Sequence, residues 1–370
     1  MVSGLNVLGK ESDIVRISID CMGGDHGVGV TVPASLAFLK QVNDVHLTLV
    51  GRKEDVEAEL AKNGALGNPH ITVKDASDVV AMDTPLMAAL RKRRSSMHIS
   101  ILEVKSGQAD ACVSAGNTGA LMAVSHYLLD MIPGVERPAI CAIMPNKKEM
   151  PTYVLDLGAN VDCEAEHLRQ FALMGTALYT NVENRTPKVG LLNVGTEEIK
   201  GNDVVKKAGK LLRNEHLNGT LNFLGNVEGN DIFEGTCDIV VCDGFTGNVM
   251  LKAVEGLGRF FRDVLVSQLK SSAMNMLGAL LSRKALNAVR QRLNPSRYNG
   301  ACMLGLKGLV FKSHGGADAY AYEFAIRRAY DAVKGDVLNK IYSAVSQLIK
   351  NSKGTDPSGK MENGKQEVTQ

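Results

Sequence analysis

The sequence lacks several features that would place it in familiar classes of protein. Its 370 residues contain 42 Lys and Arg against 40 Asp and Glu, so it has no charge excess of the kind that nucleic-acid-binding domains carry. The seven cysteines are odd in number and never form a CxxC pair, which favours reduced core residues over disulfides or zinc ligands. We therefore expect no nucleic-acid partner and no metal site.

The distribution of apolar and charged residues also shows no pattern typical of a targeting segment or a membrane-spanning segment. The first sixteen residues mix Lys10, Glu11, Asp13 and Arg16 with short apolar pieces, so export is not expected. Residues 111–129 carry no Asp, Glu, Lys or Arg, and their length approaches the ~20 residues that a membrane helix needs. Polar residues interrupt the run, however, and this pattern favours a buried strand, a polar loop and a core helix over a membrane span.

What the chain does contain is an alternation of short β-rich runs with helical patterns. The hydrophobic content of 45% is enough for a large core. Near-continuous apolar strands are typical of a parallel sheet that is covered on both faces. We therefore predict a doubly wound α/β fold with a largely parallel sheet and helices on both faces. The predicted strands are Ile14–Asp20, Val45–Val50, Ile71–Lys74, Ala111–Ser114, Ala139–Met144, Tyr153–Leu157, Val189–Val194, Leu221–Gly225, Asp238–Cys242 and Leu309–Lys312.

No repeat and no Pro- or Gly-rich linker divides the chain. We predict an N-terminal extension over residues 1–13 and one extended α/β domain over 14–350. Residues 351–370 are polar and have no apolar face, so we expect a disordered tail there.

Two junctions join an apolar strand to a helix through glycines and small polar residues. They are CDGFTGNVMLK at 242–252 and SAGNTGAL at 114–121. Backbone amides at such junctions can hold an anion, and in doubly wound sheets ligands bind at the carboxyl ends of strands. The junctions predict chemistry on a phosphate or a carbonyl oxyanion. The candidate residues are Ser114, Gly116, Asn117, Thr118, Gly119, Gly244, Thr246 and Gly247.

A third glycine-rich junction, CMGGDHG, follows the first predicted strand. Gly23 and Gly24 would allow a tight turn at the same sheet edge. Asp25 and His26 are candidate acid or base groups, or alternatively caps of the next helix. The run is not GxGxxG, and no dinucleotide fingerprint is visible elsewhere in the chain.

Three further polar residues follow predicted strands. Lys200 could supply a point charge for a phosphate or an oxyanion, or it could be a solvated surface group. Asn226 could line a ligand or cap a turn, and His314 could donate to an anion or serve as a structural donor.

Two segments are candidate binding surfaces for other proteins or for a membrane. The basic cluster RKRRSSM at 91–97 could dock an acidic protein or be a solvated face. Residues 254–292 form the longest helical stretch, amphipathic and locally basic. This stretch is predicted to be a protruding helical hairpin that lies in the headgroup region of an anionic membrane. The alternative is a helix pair that packs at a subunit interface or against the core, and a dimer that presents the hairpin tips to lipid would combine membrane and subunit contacts.

Taken in order, seven of these segments closely resemble the PlsX family of bacterial phosphate acyltransferases over residues 14–349. The segments are IDCMGGDHG, ADACVSAGNTGALM, LLNVGTEEIKGND, NFLGNVEGNDI, DIVVCDGFTGNVMLKAVEG, NGACMLGLKG and KSHGGADAYA. The resemblance implies transfer of a fatty acyl group from acyl carrier protein to inorganic phosphate, which yields acyl phosphate for phospholipid synthesis. It also implies a homodimer with a fold like that of isocitrate and isopropylmalate dehydrogenases and phosphotransacetylases. No cofactor is expected.

The resemblance further implies functional roles for Lys200 and Asn248. Glycine-loop amides around 116–119 and 244–247 would hold phosphate, while Lys200 and Asn248 would stabilise the negative oxygen on the acyl carbon. The expected location is the cytoplasm, peripherally bound to the inner face of the membrane, with a membrane-embedded glycerol-3-phosphate acyltransferase as a further partner. Two alternatives remain, a metal- and nicotinamide-dependent decarboxylating dehydrogenase and a non-catalytic, membrane-associated scaffold that binds acyl carrier protein.

Overall fold

The computed structural model describes residues 14–148, 150–292 and 294–353. They form a mixed α/β fold with one sheet of eleven strands and helices on both faces. The strands are β1 (Val15–Asp20), β2 (Val45–Gly51), β3 (Ile71–Asp75), β4 (Ala111–Ser114), β5 (Ala139–Met144), β6 (Thr152–Leu155), β7 (Lys188–Leu192), β8 (Asn222–Val227), β9 (Ile239–Val241), β10 (Ala301–Leu304) and β11 (Leu309–Lys312).

Thirteen helices connect these strands in the described part of the chain. They are α1 (Val28–Leu39), α2 (Lys53–Lys62), α3 (Leu86–Arg91), α4 (Ser96–Lys105), α5 (Thr118–Leu129), α6 (Ala165–Glu183), α7 (Asp203–Leu217), α8 (Asp231–Glu234), α9 (Gly244–Lys270), α10 (Ala273–Leu281), α11 (Arg283–Arg292), α12 (Ala319–Lys334) and α13 (Val337–Lys353).

The sheet consists of two parallel blocks that run in opposite directions. The strand order is β3-β2-β1-β4-β11-β10-β5-β6-β9-β7-β8. β10 is antiparallel to both β11 and β5, and β5 is antiparallel to β6. The remaining neighbours are parallel. The first block, β3-β2-β1-β4-β11, therefore runs opposite to the second, β6-β9-β7-β8.

The core lies on both faces of the sheet because successive strand residues point to opposite sides. In β4, Ala111 and Val113 belong to one apolar cluster and Cys112 to the other. In the central strands β4 and β9 every residue is buried, which explains why these strands are almost entirely apolar. All seven cysteines are free and all except Cys163 are buried, as the sequence predicts.

The predicted large, mostly parallel sheet is confirmed, but two details differ from the prediction. β10 was not predicted as a strand; its sequence ACML contains no β-branched residue, so local propensity is weak there. Helix α13 ends at Lys353, so residues 351–353 of the predicted tail are helical. The rest of that tail and the extension at 1–13 lie outside the described residues.

The segment predicted as a hairpin contains parts of three helices. Helix α9 begins at Gly244 and continues without a break to Lys270, and α10 and α11 follow it. In α9 only Gly244 and Gly247 are buried, and α10 has no buried residue. Among the described residues, every helix falls short of the length and apolar character needed to cross a bilayer.

Candidate active site

The carboxyl ends of three neighbouring strands, β1, β4 and β11, form the first half of the site. Asp20 ends β1, and its Oδ2 accepts a 2.6 Å hydrogen bond from Ser114 Oγ at the end of β4. Ser114 Oγ in turn accepts from the amide of Gly116 at 3.0 Å. Burial raises the pKa of Asp20. Ser114 is thus engaged within the protein, and it fixes the loop that leads into α5.

The two glycines after β1 are required by close packing. A Cβ on Gly23 would lie 2.7 Å from both Asp20 Oδ2 and the Gly116 amide nitrogen. Gly24 has a positive φ of 82°, and a Cβ there would lie 2.8 Å from the carbonyl oxygen of Gly315. The glycines therefore let the three strand-end loops touch one another.

Asp25 and His26 are exposed beside this junction. The amide of Asp25 donates to the Gly315 carbonyl at 2.9 Å. Helix α1 begins after Gly27 and has no side-chain cap, so the alternative of a helix cap is not observed. The acid or base role of these two residues stays a prediction.

Helix α5 presents its first turn at the same place. Asn117 caps the helix, since its Oδ1 accepts from the amide of Ala120 at 2.9 Å, and its Nδ2 donates to the Met82 carbonyl. The amides of Thr118 and Gly119 belong to the turn where a helix supplies no acceptor. Neither donates to another described residue. Two donors are therefore left for an anion.

His314 follows β11 and faces α9. Its Nδ1 accepts from the Gly316 amide at 3.1 Å, which assigns the ring proton to Nε2. Nε2 lies 3.8 Å from Oε1 of Glu255. Burial lowers the pKa of His314, so the neutral ring with a donating Nε2 is favoured at neutral pH.

The second half of the site begins where β9 leads into α9. The amide of Gly244 donates to the Asn160 carbonyl at 2.8 Å, and that of Gly247 donates to the Asp243 carbonyl at 2.9 Å. Thr246 donates to the Asp243 carboxylate through its amide and through its hydroxyl, each at 2.8 Å. The chain's own acceptors therefore take up these donors, which the sequence analysis expected to hold phosphate.

The glycines of this junction instead permit a tight contact with the loop after β6. A Cβ on Gly247 would lie 1.9 Å from the carbonyl oxygen of Asp156, and one on Gly244 would lie 2.6 Å from that of Asn160. The contact places Asn248, which is exposed, beside Gly158; a Cβ built on Gly158 lies 3.5 Å from Asn248 Cβ.

Asp156 and Asn160 are residues that sequence reasoning missed. The buried Asp156 carboxylate accepts from the amides of Ile140, Ala159 and Asn160 at 2.7 to 3.0 Å and from Asn160 Nδ2 at 2.9 Å. Burial raises the pKa of this carboxyl group. The available signal was the segment DLGAN at 156–160, a polar and glycine-containing turn directly after a predicted strand.

Lys200 lies in an exposed loop after β7. Its amide donates to the Glu197 carbonyl at 3.1 Å, and its carbonyl accepts from Asn193 Nδ2 at 3.2 Å. Asn226 Nδ2 donates to the same Glu197 carbonyl at 3.0 Å. Asn226 therefore holds the Lys200 loop in place, and a direct role in binding phosphate stays a prediction.

Helix α9 connects the two halves even though their strands run in opposite directions. Lys252 lies one turn beyond Asn248, and Glu255 about one turn further. Glu255 bonds Lys252 at 3.0 Å and faces His314. Asn248 and Glu255 are seven residues apart, which is about 10 Å along a helix. The predicted residues thus form two groups beside one helix, where the sequence analysis expected a single sheet edge.

Comparisons with known proteins show the family and the fold. A family model described as "Fatty acid synthesis protein" matches residues 15–340. The chain is 61% identical over 343 residues to a protein of Janthinobacterium sp. (strain Marseille) named phosphate acyltransferase, covering 92% of this chain and 95% of the relative. It is 62% identical over 340 residues to a phosphate acyltransferase of Herminiimonas arsenicoxydans, covering 91% and 95%.

Two solved structures share the fold. A phosphotransacetylase from Streptococcus pyogenes has a TM-score of 0.58 at 19% identity, over 86% of this chain and 94% of the other. The EutD phosphotransacetylase from Staphylococcus aureus has a TM-score of 0.55 at 15% identity, over 90% and 94%.

Proposed function

The chain belongs to the fatty acid synthesis protein family, that of the PlsX phosphate acyltransferases, and we propose from this premise that it transfers an acyl group to inorganic phosphate. The acyl donor in this proposal is the thioester of acyl carrier protein, and the acyl phosphate that forms enters phospholipid synthesis. Membership of the family makes the chain an acyltransferase; the donor and the pathway are the proposed part.

The proposal is supported mainly by helix α9, which carries Asn248 near its start and, further along, Glu255, which faces His314. One end offers the exposed amide of Asn248 after β9, the strand next to β7 and its Lys200 loop, and the other offers donors suited to an anion. A phosphate oxygen bonds to the acyl carbon, the carbon–sulfur bond breaks, and its electron pair leaves with sulfur, which takes up a proton. The products are acyl phosphate and the carrier's thiol. Holding both reactants beside one rigid helix replaces a bimolecular encounter.

Lys200 and Asn248 are proposed to stabilise the negative oxygen on the acyl carbon. Both are exposed, and a substrate could reach them without rearrangement of the core. Lys200 has a fixed backbone, because its amide donates to the Glu197 carbonyl within the loop and two further hydrogen bonds join the loop to Asn193 and Asn226. Preorganised donors of this kind act on charge that develops in the transition state.

The experiment that tests this proposal follows the thioester in the presence and absence of phosphate. Purified protein and acyl carrier protein thioester should release free thiol only when phosphate is added, with one acyl phosphate formed per thiol. A non-catalytic scaffold would bind the carrier and release no thiol. Thiol release without phosphate would indicate a thioesterase and would contradict the proposal.

The basic cluster at 91–94 is the proposed docking surface for the acidic carrier. Arg91, Arg93 and Arg94 are exposed, and Lys92 Nζ donates to the Val79 carbonyl at 2.7 Å. The segment that begins at Val79 reaches the first half-site, because the Met82 carbonyl accepts from Asn117. The positive surface therefore adjoins the entrance to the site, where opposite charge would steer the carrier.

Helices α9 to α11 are proposed to protrude from the α/β domain. Their apolar surface is proposed to bind two partners, a second copy of the chain and a membrane. A second copy of the chain would cover the apolar side chains of α9, giving a homodimer. The apolar side chains of α10, flanked by Lys270 and Arg283, suit the headgroup region of an anionic membrane. The exposed apolar residues are Leu257, Phe260, Phe261, Val264, Met274, Met276, Leu277, Leu280 and Leu281.

This surface leads to the proposed location of the protein. It would be cytoplasmic and bound peripherally to the inner face of the membrane, where a membrane-embedded glycerol-3-phosphate acyltransferase would consume the acyl phosphate. The isocitrate dehydrogenase-like fold name remains part of this proposal. Among residues 14–148, 150–292 and 294–353, no group of three or more His, Cys, Asp or Glu side chains is placed to hold a metal ion, so these residues do not favour the alternative of a decarboxylating dehydrogenase.

A further inference from the structure

Lys312, the last residue of β11, is a cation without an anionic partner inside the protein. Its Nζ donates to the carbonyl oxygens of Ala115, at 3.2 Å, and of Ser313. Within residues 14–148, 150–292 and 294–353, no carboxylate forms an ion pair with it. A part-buried ammonium held only by neutral carbonyls is an incompletely compensated charge, and such charges are retained where an anion completes them.

The charged groups around Lys312 come from every element packed against it. Lys252 faces it from α9, Asp20 from the end of β1 and Asp25 from the glycine loop. Asp20 is already engaged by Ser114, and Lys252 pairs with Glu255 at 3.0 Å. Burial and then Lys252 lower the pKa of Lys312 to about 8, although Asp20 and Asp25 raise it.

Other donors belong to residues close to Lys312 or to Ala115 along the chain. The Ala115 carbonyl that holds Lys312 lies two residues before Asn117, the cap of α5, so the ammonium adjoins the first turn of that helix. The amides of Thr118 and Gly119 have no acceptor among the described residues. His314, two residues after Lys312, carries its proton on Nε2.

We infer that Lys312 is the cation that binds inorganic phosphate, together with the first-turn amides of α5 and His314 Nε2. This inference rests on the proposed function and assigns the acceptor substrate to the first half of the site. Lys200 and Asn248 then act on the thioester from the other half, and Lys252 lies between the two. The amides of Gly244 and Gly247, which the protein's own carbonyls occupy, are not needed for phosphate.

Equilibrium binding of inorganic phosphate tests this without any turnover. Titration calorimetry on the whole chain should give phosphate binding that Lys312→Met weakens by about 10- to 100-fold, the range of one charge-assisted hydrogen bond. Lys340→Met, which removes an exposed lysine on α13, is the matched control and should bind as the wild type does. Lys200→Ala should also retain phosphate binding. Unchanged binding in Lys312→Met would overturn the inference.

Steady-state kinetics separate two sources of phosphate chemistry, the free ion and the phosphate of the carrier's phosphopantetheine arm. Lys312→Met and Lys312→Gln should raise KM for inorganic phosphate and leave KM for the acyl carrier unchanged. A rise in KM for the carrier alone would assign Lys312 to the phosphopantetheine arm and overturn the inference. Thermal melting of both variants checks that they are folded. If the wild type binds phosphate but forms no acyl phosphate, the proposed function fails while the inference stands.

The pH profile distinguishes binding by charge from a structural role. Because Lys312 loses its proton near pH 8, kcat/KM for phosphate should fall as the pH rises through 8 to 9. Phosphate itself is already a dianion in that range. Lys312→Arg stays protonated there, so its profile should remain flat. If kcat/KM for phosphate fell in the same way above pH 8 in the wild type and in Lys312→Arg, the inference would be contradicted.

Discussion

Nε2 of His314 lies 3.8 Å from Oε1 of Glu255, and this contact joins the end of β11 to α9. β11 belongs to one parallel block of the sheet, whereas α9 begins at the end of β9 in the opposite block. The loops after β11 and β9 follow strands of opposite direction, so the strand order alone would place them at opposite edges of the sheet. Helix α9 nevertheless brings residues of the two blocks together. The proposed chemistry depends on this relationship, because phosphate and thioester would be bound by different blocks.

Removal of either proposed oxyanion donor should slow turnover. Lys200→Ala and Asn248→Ala should each lower kcat by about 100- to 1000-fold, the usual loss for one such donor. Both residues are exposed, so the melting temperature should change little. The measurement is acyl phosphate formation at saturating substrates. Full activity in Lys200→Ala would show that its assigned role is wrong.

Gly247 should not tolerate a side chain. In Gly247→Ala the new Cβ would lie 1.9 Å from the Asp156 carbonyl oxygen, so α9 or the loop must shift. We expect a loss of about 1 to 3 kcal/mol in the free energy of unfolding, as overpacking usually causes, and lower turnover because Asn248 is adjacent.

Gly209→Ala is the matched control for that substitution. Gly209 lies within α7, and a Cβ there meets only Leu191 Cδ2 at 3.8 Å. Alanine in a helix interior is favoured over glycine by about 0.5 to 1 kcal/mol, so urea unfolding should show a small gain. Equal effects of the two substitutions would contradict the packing assigned to Gly247.

Asp20 should make stability depend on pH in a predictable direction. Burial raises the pKa of its carboxyl group in the folded protein, so the folded state binds a proton that the unfolded state has already released. The resulting stabilisation is present at low pH and is lost as the pH rises through the folded pKa. Relative to Asp20→Asn, the wild type should therefore gain stability as the pH falls from 7 towards 4. Urea unfolding at several pH values measures the difference, and the opposite slope would refute the protonation assigned to Asp20.

Charge reversal on the basic cluster should weaken docking of the carrier. Arg93→Glu with Arg94→Glu should raise KM for acyl carrier protein at low salt and reduce its salt dependence, because steering by exposed charge is screened by ions. KM for phosphate should not change. Lys340→Glu, a reversal on α13, serves as the control for overall charge. An unaltered KM for the carrier would place the docking surface elsewhere.

The exposed apolar surface of α10 should bind lipid. Leu277 is 51% exposed, so Leu277→Glu adds a charge without opening the core. The variant should sediment less with anionic liposomes than the wild type and keep the wild type's oligomeric state in analytical ultracentrifugation. Undiminished sedimentation of Leu277→Glu would contradict the proposed contact between α10 and lipid.

The sequence was sufficient to predict most strands because their apolar runs are buried on both faces. The runs at Ala111–Ser114, Ala139–Met144 and Leu309–Lys312 match the observed strands in full. The reversal of strand direction could not be predicted, since it depends on the pairing of β5 with β10, a strand that the sequence did not predict and that lies far from β5 along the chain.

The position of the candidate site at the strand ends could be predicted from the sequence, whereas most contacts of its residues could not. Each glycine-rich junction does lie at a strand end, as the pattern at Gly23 and Gly116 predicts. The sequence could not reveal that the Asp156 and Asn160 carbonyls fill the space beside Gly244 and Gly247, because those residues are about ninety positions away. Lysine is usually a surface residue, so burial of Lys312 likewise became visible only in the fold.

In the proposed reaction a phosphate oxygen attacks the acyl carbon directly. Mass spectrometry of the product made from acyl carrier protein thioester and phosphate labelled with oxygen-18 at all four positions tests this step. Direct attack should give an acyl phosphate that retains all four labelled oxygens, with one free carrier thiol for each molecule formed. Unlabelled free fatty acid as the product, or an acyl phosphate that has lost a labelled oxygen, would contradict it.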